Sequence, residues 1–499
     1  MSDPVIALQR VTRRFGPVVA VHDASVSLAA GQIHAIVGEN GAGKSTLLSL
    51  AGGTRAPSEG AVVVDGQPLT PATPEEASRR GIGFVHQHFM LVEAFTALEN
   101  IALGNERADR FGRLDLDATR SLATRKMREL GLELDLDARV ADLGVGERQV
   151  LELLRILVRG ATKILLDEPT AVLTPLQADR LFLTLRGMAN AGACLAVVTH
   201  RIAEVLRHCD QVTVMRRGCV VGSFAAAETT PAELTRAIMG TEPPPPVQRP
   251  VPCPGAAVAL RVRDLVVSGA RAGRSAIDGV SFEVAEGRIV GVAGVEGNGQ
   301  HELVRAIAGL LRPKAGTILI GGQDVTTMSV AARRERGLAV VHDDRQREGL
   351  MLDATVWDNL MLGDLRAGGD ERTVVSRRID RFAIVPAVPS LPARSLSGGN
   401  QQKIVTARAL DRALTAAVLA QPTRGVDLGA ARAIHEAICG CARAGVGVLL
   451  VSADLAELRT LCSEVLVLAR GKIVARLAPD SSDEEFGRAM LGAAQGVSR

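Results

Sequence analysis

The sequence has no run of 18 consecutive apolar residues, which is about the length that a membrane-spanning helix requires. Its densest apolar stretch, Gly445–Ala453 (GVGVLLVSA), is only as long as a β-strand. The first residues, MSDPVIALQR, lack the basic-then-apolar layout of a signal peptide. We therefore expect another chain to supply any membrane-spanning helices with which this protein works.

A strong charge of one sign and cysteine pairs at metal-site spacing are also missing. The formal net charge is +3 and no clustered basic block stands out, which argues against a nucleic-acid partner. Of the seven cysteines only Cys439 and Cys441 lie close together, and no second pair follows at the spacing of a zinc site. The cysteines are therefore predicted to be reduced, buried thiols.

Chain length and one proline-rich stretch predict two domains. At 499 residues the chain is too long for one ordinary core, and Glu242–Gly255 (EPPPPVQRPVPCPG) divides it almost in half. Such a stretch cannot form a helix or a central strand and is expected to act as a semi-rigid spacer. The predicted organisation is a first domain at 5–242, a linker at 243–256 and a second domain at 257–496.

Three motifs recur in the two halves at a nearly constant distance. GQIHAIVGENGAGKS, from residue 31, is answered by GRIVGVAGVEGNGQH, from residue 287, an offset of 256 residues. LGVGE at 143 is answered by LSGGN at 396, and ILLDEPT at 164 by AVLAQPT at 417, both with an offset of 253 residues. An offset this constant indicates the duplication of one domain.

Each half has the residue pattern of an α/β domain. The alternating run Ala61–Asp65 predicts a small antiparallel sheet beside a mainly parallel one. Short apolar runs predict the buried strands Gln32–Val37, Ile164–Leu166 and Leu195–Val198, and polar-periodic segments between them predict helices that include Glu147–Val158 and Leu176–Ala189.

The first half contains a phosphate-binding loop. Its GENGAGKS string fits G-x-x-x-x-G-K-[ST] in full, follows the apolar strand IHAIV and opens a helical run. In this context backbone N–H groups and the positive end of the helix surround the β- and γ-phosphates. Lys44 is expected to neutralise phosphate charge and Ser45 to ligate Mg²⁺. The residues expected to bind the nucleotide here are Gly38, Glu39, Asn40, Gly41, Ala42, Gly43, Lys44, Ser45 and Thr46.

Two acidic residues, Asp167 and Glu168, end a later strand in LLDEP. An aspartate at this place can hold Mg²⁺, and the adjacent glutamate can orient or deprotonate the attacking water. Paired acidic residues at strand ends are also common on surfaces, and the phosphate loop upstream is what favours the catalytic interpretation. His200 ends the strand CLAVVTH and is a candidate contact to the γ-phosphate, although a lone histidine there is more often structural.

Together these motifs resemble those of the ATP-binding cassette (ABC) transporter ATPases, and the resemblance covers nearly the whole chain in two copies. It implies two tandem P-loop NTPase domains, each with a mainly parallel sheet core, an antiparallel β subdomain and a helical subdomain. It also implies that Gln87 (VHQHF) senses Mg²⁺ and faces a membrane partner, that Phe15 (RRFG) stacks on adenine, and that His200 is the switch histidine.

Within that family the chain looks like the tandem ATPases of bacterial importers for simple sugars and nucleosides. The strings HQHFMLV, PTAVLTP, GVEGNGQ and AQPTRGVD are most similar to the purine-nucleoside branch. The resemblance implies ATP and Mg²⁺ as cofactors, two integral-membrane permease subunits, a separate solute-binding protein, and a peripheral position on the cytoplasmic face of the cell membrane. The alternatives are the same role for a simple sugar such as a pentose, a soluble tandem ATPase acting on ribosomes, and a regulatory or scaffold protein that uses ATP as a clamp.

The second half departs from this pattern at each position that handles phosphate. Without a carboxylate at position 421, the general-base contribution, typically about 10²–10⁴-fold, is absent. No aromatic residue in Val262–Ser275 stands where Phe15 does. The second site is expected to bind nucleotide weakly without cleaving it, or to be a structural lid. The substituted positions are Gln300 for Lys44, His301 for Ser45, Asp343 for Gln87, Ala420 for Asp167, Gln421 for Glu168 and Ala453 for His200.

The signature motifs show the opposite asymmetry. The second copy, LSGGN, is intact, so Ser397, Gly398 and Gly399 are expected to bind the γ-phosphate of ATP held by the opposite cassette. In the first copy, LGVGE, Gly144 lacks the hydroxyl and Glu147 adds a negative charge. Because cassettes of this family pair head to tail, the resemblance implies that the intact loop meets the intact signature and that only this site hydrolyses ATP.

Two further features have structural interpretations. His86 and His88 resemble a metal-binding pair but have no third ligand in evidence, so they are interpreted as loop histidines near the membrane-partner contact. The basic stretch Arg333–Arg347 is interpreted as a solvated face.

Overall fold

The chain folds into two compact units, Met1–Pro244 and Pro245–Arg499. The structure is a computed structural model, and among the residues it describes no helix combines the length and apolar character needed to cross a bilayer. His88 and much of the predicted linker lie outside the described residues. The described residues are 4–16, 18–87, 89–104, 106, 115–171, 173, 175–242, 247–251, 255–269, 275–295, 297–364 and 370–490.

The first unit alternates strands with helices. Its strands are β1 (Pro4–Phe15), β2 (Val18–Ala29), β3 (Ile33–Gly38), β4 (Glu59–Val64), β5 (Gln67–Pro68), β6 (Ile82–Val85), β7 (Lys163–Asp167), β8 (Cys194–Val198), β9 (Gln211–Arg216) and β10 (Cys219–Ala225). Its helices are α1 (Lys44–Ala51), α2 (Pro74–Arg79), α3 (Ala97–Ala102), α4 (Leu116–Leu130), α5 (Val145–Val158), α6 (Pro175–Asn190), α7 (Ile202–His208) and α8 (Pro231–Met239).

The strands of the first unit form two sheets. The six-stranded sheet has the order β10-β9-β3-β8-β7-β6 and is parallel except for the β10–β9 pair. Every residue of β3, β7 and β8 is buried, as expected for parallel strands that are covered on both faces. The second sheet, β2-β1-β4-β5, is antiparallel. The predicted α/β architecture is confirmed, and each predicted strand and helix falls on an observed one.

Two apolar cores cover the parallel sheet, one on each face. Alternate residues of one strand enter different cores, because successive side chains of a strand point to opposite faces. In β3, Ala35 and Val37 join the core that includes Phe182 of α6, while Ile36 joins the core that includes Leu47 of α1 and the antiparallel sheet. A third core joins α3, α4 and α5 and forms the helical subdomain.

The second unit repeats this architecture. Its strands are β11 (Val258–Ser268), β12 (Ser275–Ala285), β13 (Ile289–Ala293), β14 (Ala315–Ile320), β15 (Gln323–Asp324), β16 (Leu338–Val341), β17 (Ala416–Ala420), β18 (Gly447–Val451), β19 (Glu464–Ala469) and β20 (Lys472–Leu477). Its helices are α9 (Gln300–Ala308), α10 (Val330–Glu335), α11 (Val356–Met361), α12 (Glu371–Arg381), α13 (Gly398–Leu410), α14 (Leu428–Arg443), α15 (Leu455–Leu461) and α16 (Asp483–Met490).

Strand order supports the duplication that the sequence motifs indicate. The main sheet of the second unit runs β16-β17-β18-β13-β19-β20, the same order as β6-β7-β8-β3-β9-β10, and the antiparallel sheet β12-β11-β14-β15 matches β2-β1-β4-β5. In both units the loops after the parallel strands meet at the carboxyl edge of the sheet. This edge is where ligands bind in open parallel sheets.

One sequence interpretation needs correction. Arg333 is only 1% exposed, so it is not part of a solvated face. Its guanidinium donates hydrogen bonds to the carbonyl oxygens of Ala306 and Ile307 at the end of α9, both at 2.7 Å. In the spacer region, Val247 packs against the core of the second unit, and the carbonyl of Gln248 accepts a hydrogen bond from Arg443 at 2.9 Å. The described part of the linker is therefore attached to the second unit.

Candidate functional site

The phosphate loop of the first unit joins β3 to α1. Its last glycine, Gly43, has φ +97°, in the left-handed region, and a Cβ at this position would overlap the carbonyl oxygen of Ala20. Only glycine fits here without displacing that backbone. Because α1 begins at Lys44, the free N–H groups of its first turn face the loop.

Lys44 lies at the centre of this loop and is buried, with 5% of its surface exposed. Its ammonium group donates hydrogen bonds to the carbonyl oxygens of Gly38 and Glu39, both at 2.9 Å. Burial lowers the pKa of Lys44, and the charges of Glu168 and Asp167 oppose that shift. The loop therefore holds one desolvated cation beside two carboxylates.

Asp167 ends β7 and contacts the start of α1. The Ser45 hydroxyl donates a hydrogen bond to Asp167 Oδ1 at 3.0 Å. Burial raises the pKa of Asp167, an effect that the bond from Ser45 and the charge of Lys44 partly offset. The hydroxyl and the carboxylate are oxygen ligands of the kind that Mg²⁺ prefers, so the side chains present fit that ion.

Glu168 follows β7 with φ +49°, and its N–H donates to the carbonyl of Val198 at 2.9 Å. Its carboxylate accepts a hydrogen bond from Gln87 Nε2 at 3.2 Å and lies 3.5 Å from Nδ1 of His200. Burial raises the pKa of Glu168, but the polar contact and charge of His200 and the charge of Lys44 outweigh it and leave the pKa below its usual value. The structure thus brings together three residues that were singled out separately in the sequence.

Phe15 stands apart from this polar group, at the end of β1. The guanidinium groups of Arg13 and Arg55 lie 5.0 and 5.1 Å from the centre of its ring. The residue remains 37% exposed. This geometry leaves an aromatic surface on which a planar base can stack.

Sequence reasoning missed one pair that supports the site in both units. The Thr170 hydroxyl donates to Glu204 at 2.7 Å, and the Thr423 hydroxyl donates to Glu457 at 2.7 Å. Each pair ties the loop after β7 or β17 to the helix that follows the neighbouring strand of the sheet, α7 after β8 and α15 after β18. The threonines are visible in the repeated PT dipeptide, and both glutamates follow them by 34 residues, which is the signal that could have found them.

In the second unit the same positions carry other chemistry. Gln300 Nε2 donates to the carbonyl of Val295 at 3.0 Å, where Lys44 contacts two carbonyls. Gln421 has nearly the same backbone conformation as Glu168, with φ +47°. Its side-chain oxygen accepts a hydrogen bond from the N–H of Ala453 at 3.3 Å. His301 lies 3.1 Å from Asp343. The turn geometry is retained, but Ala420 removes the carboxylate that Asp167 provides.

The two signature helices begin differently. Ser397 caps α13, since its hydroxyl accepts hydrogen bonds from Asn400 N at 3.4 Å and Asn400 Nδ2 at 3.0 Å. In the first unit Glu147 instead folds back and accepts a hydrogen bond from the N–H of Gly144 at 2.7 Å. A carboxylate therefore occupies the start of α5, where an anionic ligand would be repelled.

Comparison with known proteins matches the ABC transporter family over residues 21–171 and 277–424, once in each unit. The nucleoside import ATP-binding protein NupA of Lactococcus lactis subsp. cremoris (strain MG1363) is 36% identical over 98% of this chain and 99% of its own. The glucose import ATP-binding protein TsgD13 of Haloferax volcanii is 36% identical over 98% and 96%. The guanosine import ATP-binding protein NupO of Bacillus subtilis (strain 168) is 35% identical over 98% of each chain.

These matches confirm the resemblance that the sequence motifs carry. Both units are matched, and the relatives align over almost their full length. The chain belongs to the ABC transporter family, with two tandem ATPase cassettes.

Proposed function

We propose that this chain is the ATP-hydrolysing subunit of an importer that takes up nucleosides, purine nucleosides above all, through separate permease subunits. The observation that carries the proposal is the polar group around Glu168 in the first unit. Gln87 and His200 both contact its carboxylate, and the charge of Lys44 helps to lower its pKa. Whole-chain similarity to proteins named for import supports the transport role.

The side chains of the first unit have separate tasks in this proposal. Lys44 leaves the carbonyls of Gly38 and Glu39 to neutralise the β- and γ-phosphates, while backbone N–H groups of the loop surround the same oxygens. Glu168 holds and deprotonates the attacking water, a task for which its lowered pKa keeps it ionised at neutral pH. His200 and Gln87 position that carboxylate, and Phe15 stacks on the base.

Ser45, Asp167 and Gln87 are the residues that would hold Mg²⁺. The ion supplies charge neutralisation at the phosphates. The bond from Ser45 to Asp167 keeps both ligands oriented toward the loop. Ser397, an exposed residue that caps α13, supports the second part of the proposal, in which Ser397, Gly398 and Gly399 bind the γ-phosphate of ATP. ATP hydrolysis then depends on the phosphate loop of the first unit and on the signature motif of the second.

The proposal of a nucleoside substrate rests on short sequence motifs and on the names of the similar proteins. Two of the three relatives above are named for nucleosides and one for glucose. The strings HQHFMLV and GVEGNGQ favour the nucleoside branch. We propose two permease subunits and a separate solute-binding protein as partners, with this chain bound peripherally at the cytoplasmic face of the membrane.

Uptake of labelled guanosine, adenosine and ribose tests the proposal directly. Deletion of the gene should abolish nucleoside uptake and leave ribose uptake unchanged, and the parent gene, but not a Lys44→Ala copy, should restore it. Loss of ribose uptake alone would favour the sugar alternative. Salt-sensitive sedimentation of the chain with ribosomes, instead of purification with polytopic membrane subunits, would favour the ribosomal alternative.

A further inference from the structure

The altered phosphate loop of the second unit brings three metal-ligating side chains together. His301 is the second residue of α9, Asp343 follows β16, and Glu348 lies in the turn Arg345–Gly349. One ligand atom from each residue lies within 4.8 Å of the other two. His301 Nδ1 and Asp343 Oδ1 are 3.1 Å apart. Asp343 and Glu348 share the segment between β16 and α11, whereas His301 lies about 40 residues earlier in the chain, so the fold brings the α9 histidine to the two carboxylates.

One carboxylate oxygen of the cluster lacks a hydrogen bond. Glu348 Oε2 is buried and has no hydrogen-bond partner among the described residues, although His342 Nδ1 lies 3.4 Å away. Its other oxygen accepts a 2.6 Å bond from Arg305. A buried, unsatisfied carboxylate oxygen is costly, and a cation is one partner that removes this cost.

The donor set selects a class of ion. An imidazole nitrogen with two carboxylates suits a divalent transition-metal ion such as Zn²⁺, at ligand distances of about 2.0–2.2 Å. Tetrahedral ligands at that distance are about 3.4 Å apart, so separations of up to 4.8 Å need to contract by about 1.4 Å at most. The side chains of His301, Asp343 and Glu348 are 44, 31 and 21% exposed, which leaves an entry path from solvent.

We propose that the second unit binds a divalent transition-metal ion of the Zn²⁺ type through His301, Asp343 and Glu348. In the first unit the positions of His301 and Asp343 carry Ser45 and Gln87, whose oxygens suit Mg²⁺. In this proposal the second unit favours a transition-metal ion over Mg²⁺, and Gln300 stands where the first unit has Lys44. This assignment is independent of ATP hydrolysis by the first unit.

Arg305 gives the proposal a charge-based readout. Its guanidinium lies 3.4 Å from His301 Nε2 and donates a hydrogen bond to Glu348 Oε1 at 2.6 Å. Its positive charge should repel an incoming cation, and its hydrogen bond competes with the metal for that carboxylate oxygen. Arg305→Ala should therefore tighten Zn²⁺ binding, whereas loss of a merely structural ion pair leaves metal affinity unchanged.

Zn²⁺ titration of the full-length, tag-free protein against a chromophoric chelator tests the site. We expect one equivalent bound, at least about ten-fold weaker binding in His301→Ala, and tighter binding in Arg305→Ala. The matched control is His22→Ala, which removes an exposed histidine of β2. This variant should bind Zn²⁺ with the affinity of the parent protein. Excess Mg²⁺ should not displace the ion.

Three results would overturn the assignment. One is an affinity for His301→Ala that stays within about two-fold of the parent, and another is displacement of Zn²⁺ by Mg²⁺ at about 100-fold excess, since such a site prefers hard ions. The third is the absence of stoichiometric binding in the parent protein. Thermal unfolding of each variant without metal confirms that the comparison involves folded protein.

Discussion

At the scale of single residues, the two units differ in side-chain chemistry on the same backbone. Glu168 and Gln421 share a left-handed conformation, with φ of +49° and +47°. Both residues also donate their backbone N–H to the strand that follows in the sheet, to Val198 and Val451. The turn that presents the proposed general base, Glu168, therefore survives in the second unit, but the carboxylate does not.

Glu168→Gln should reduce steady-state ATP hydrolysis by at least about 10²-fold, because it removes the only general base that the account assigns. The phosphate release assay at saturating MgATP measures this effect. The substitution keeps the size of the side chain, so the thermal midpoint of the protein should change little.

Gln421→Glu is the matched control for that variant. It restores a carboxylate to the second unit, but Gln300 and Ala420 still leave that site without its lysine and aspartate. Turnover should therefore stay within about two-fold of the parent, a change of less than about 0.5 kcal/mol in barrier height. A large gain would show that the second site lacks only its base.

At the scale of secondary-structure elements, a charged cluster joins α12 to the end of α13. Asp411, 8% exposed, pairs with Arg377 at 2.7 Å, Arg378 at 3.2 Å and Arg381 at 2.9 Å. Arg378 is almost fully buried and also contacts Asp364 at 2.6 Å. Burial raises the pKa of Asp411, but its bonds to Arg377 and Arg378 and their charges outweigh burial and lower it.

Asp411→Asn should lower the free energy of unfolding of the second unit by about 3 kcal/mol at pH 7, because it leaves Arg378 buried with one carboxylate fewer. The lowered pKa of Asp411 means that its stabilisation is complete above about pH 4, the unfolded value, and is lost as the pH falls through the folded value. The difference between parent and variant should therefore shrink in acid.

Denaturant unfolding followed by tryptophan fluorescence measures this loss, since Trp357 is the single tryptophan and packs on the second unit's core. Asp353→Asn is the control: Asp353 pairs with Arg394, but both side chains are well exposed. Its effect should stay below about 1 kcal/mol. Equal effects of the two variants would refute the role assigned to the buried cluster.

Gly43→Ala tests the element that joins β3 to α1. Both Gly43 and Gly41 have positive φ, but a Cβ at Gly41 meets nothing within 4 Å, whereas one at Gly43 overlaps the backbone of Ala20. Gly41→Ala should cost about 1–2 kcal/mol from conformation alone, and Gly43→Ala should cost more and weaken nucleotide binding. Thermal unfolding and nucleotide titration of the two variants measure these effects. Gly41→Ala reports the backbone strain alone, and Gly43→Ala reports the strain together with the steric overlap with Ala20.

At the scale of the whole molecule, the sequence predicted what depends on local pattern and missed what depends on distant contacts. The phosphate loop and the Asp167–Glu168 pair were found because a motif and a strand end fix their place. The exposure of Arg333 was predicted wrongly, because the carbonyls of Ala306 and Ile307 that it contacts lie 27 and 26 residues earlier in the chain. The convergence of His301, Asp343 and Glu348 was missed for the same reason, although the first two substitutions were recognised singly.

We propose as the central claim that ATP hydrolysis needs the phosphate loop of the first unit and the signature motif of the second unit, but not the signature motif of the first. The steady-state ATPase rates of Ser397→Arg and Gly144→Arg, at corresponding positions of the two signatures, test it most directly. The account predicts a loss of at least about 10²-fold for Ser397→Arg, which blocks the donors at α13, and a rate within about two-fold of the parent for Gly144→Arg. The reverse pattern, or equal losses in two folded variants, would contradict it.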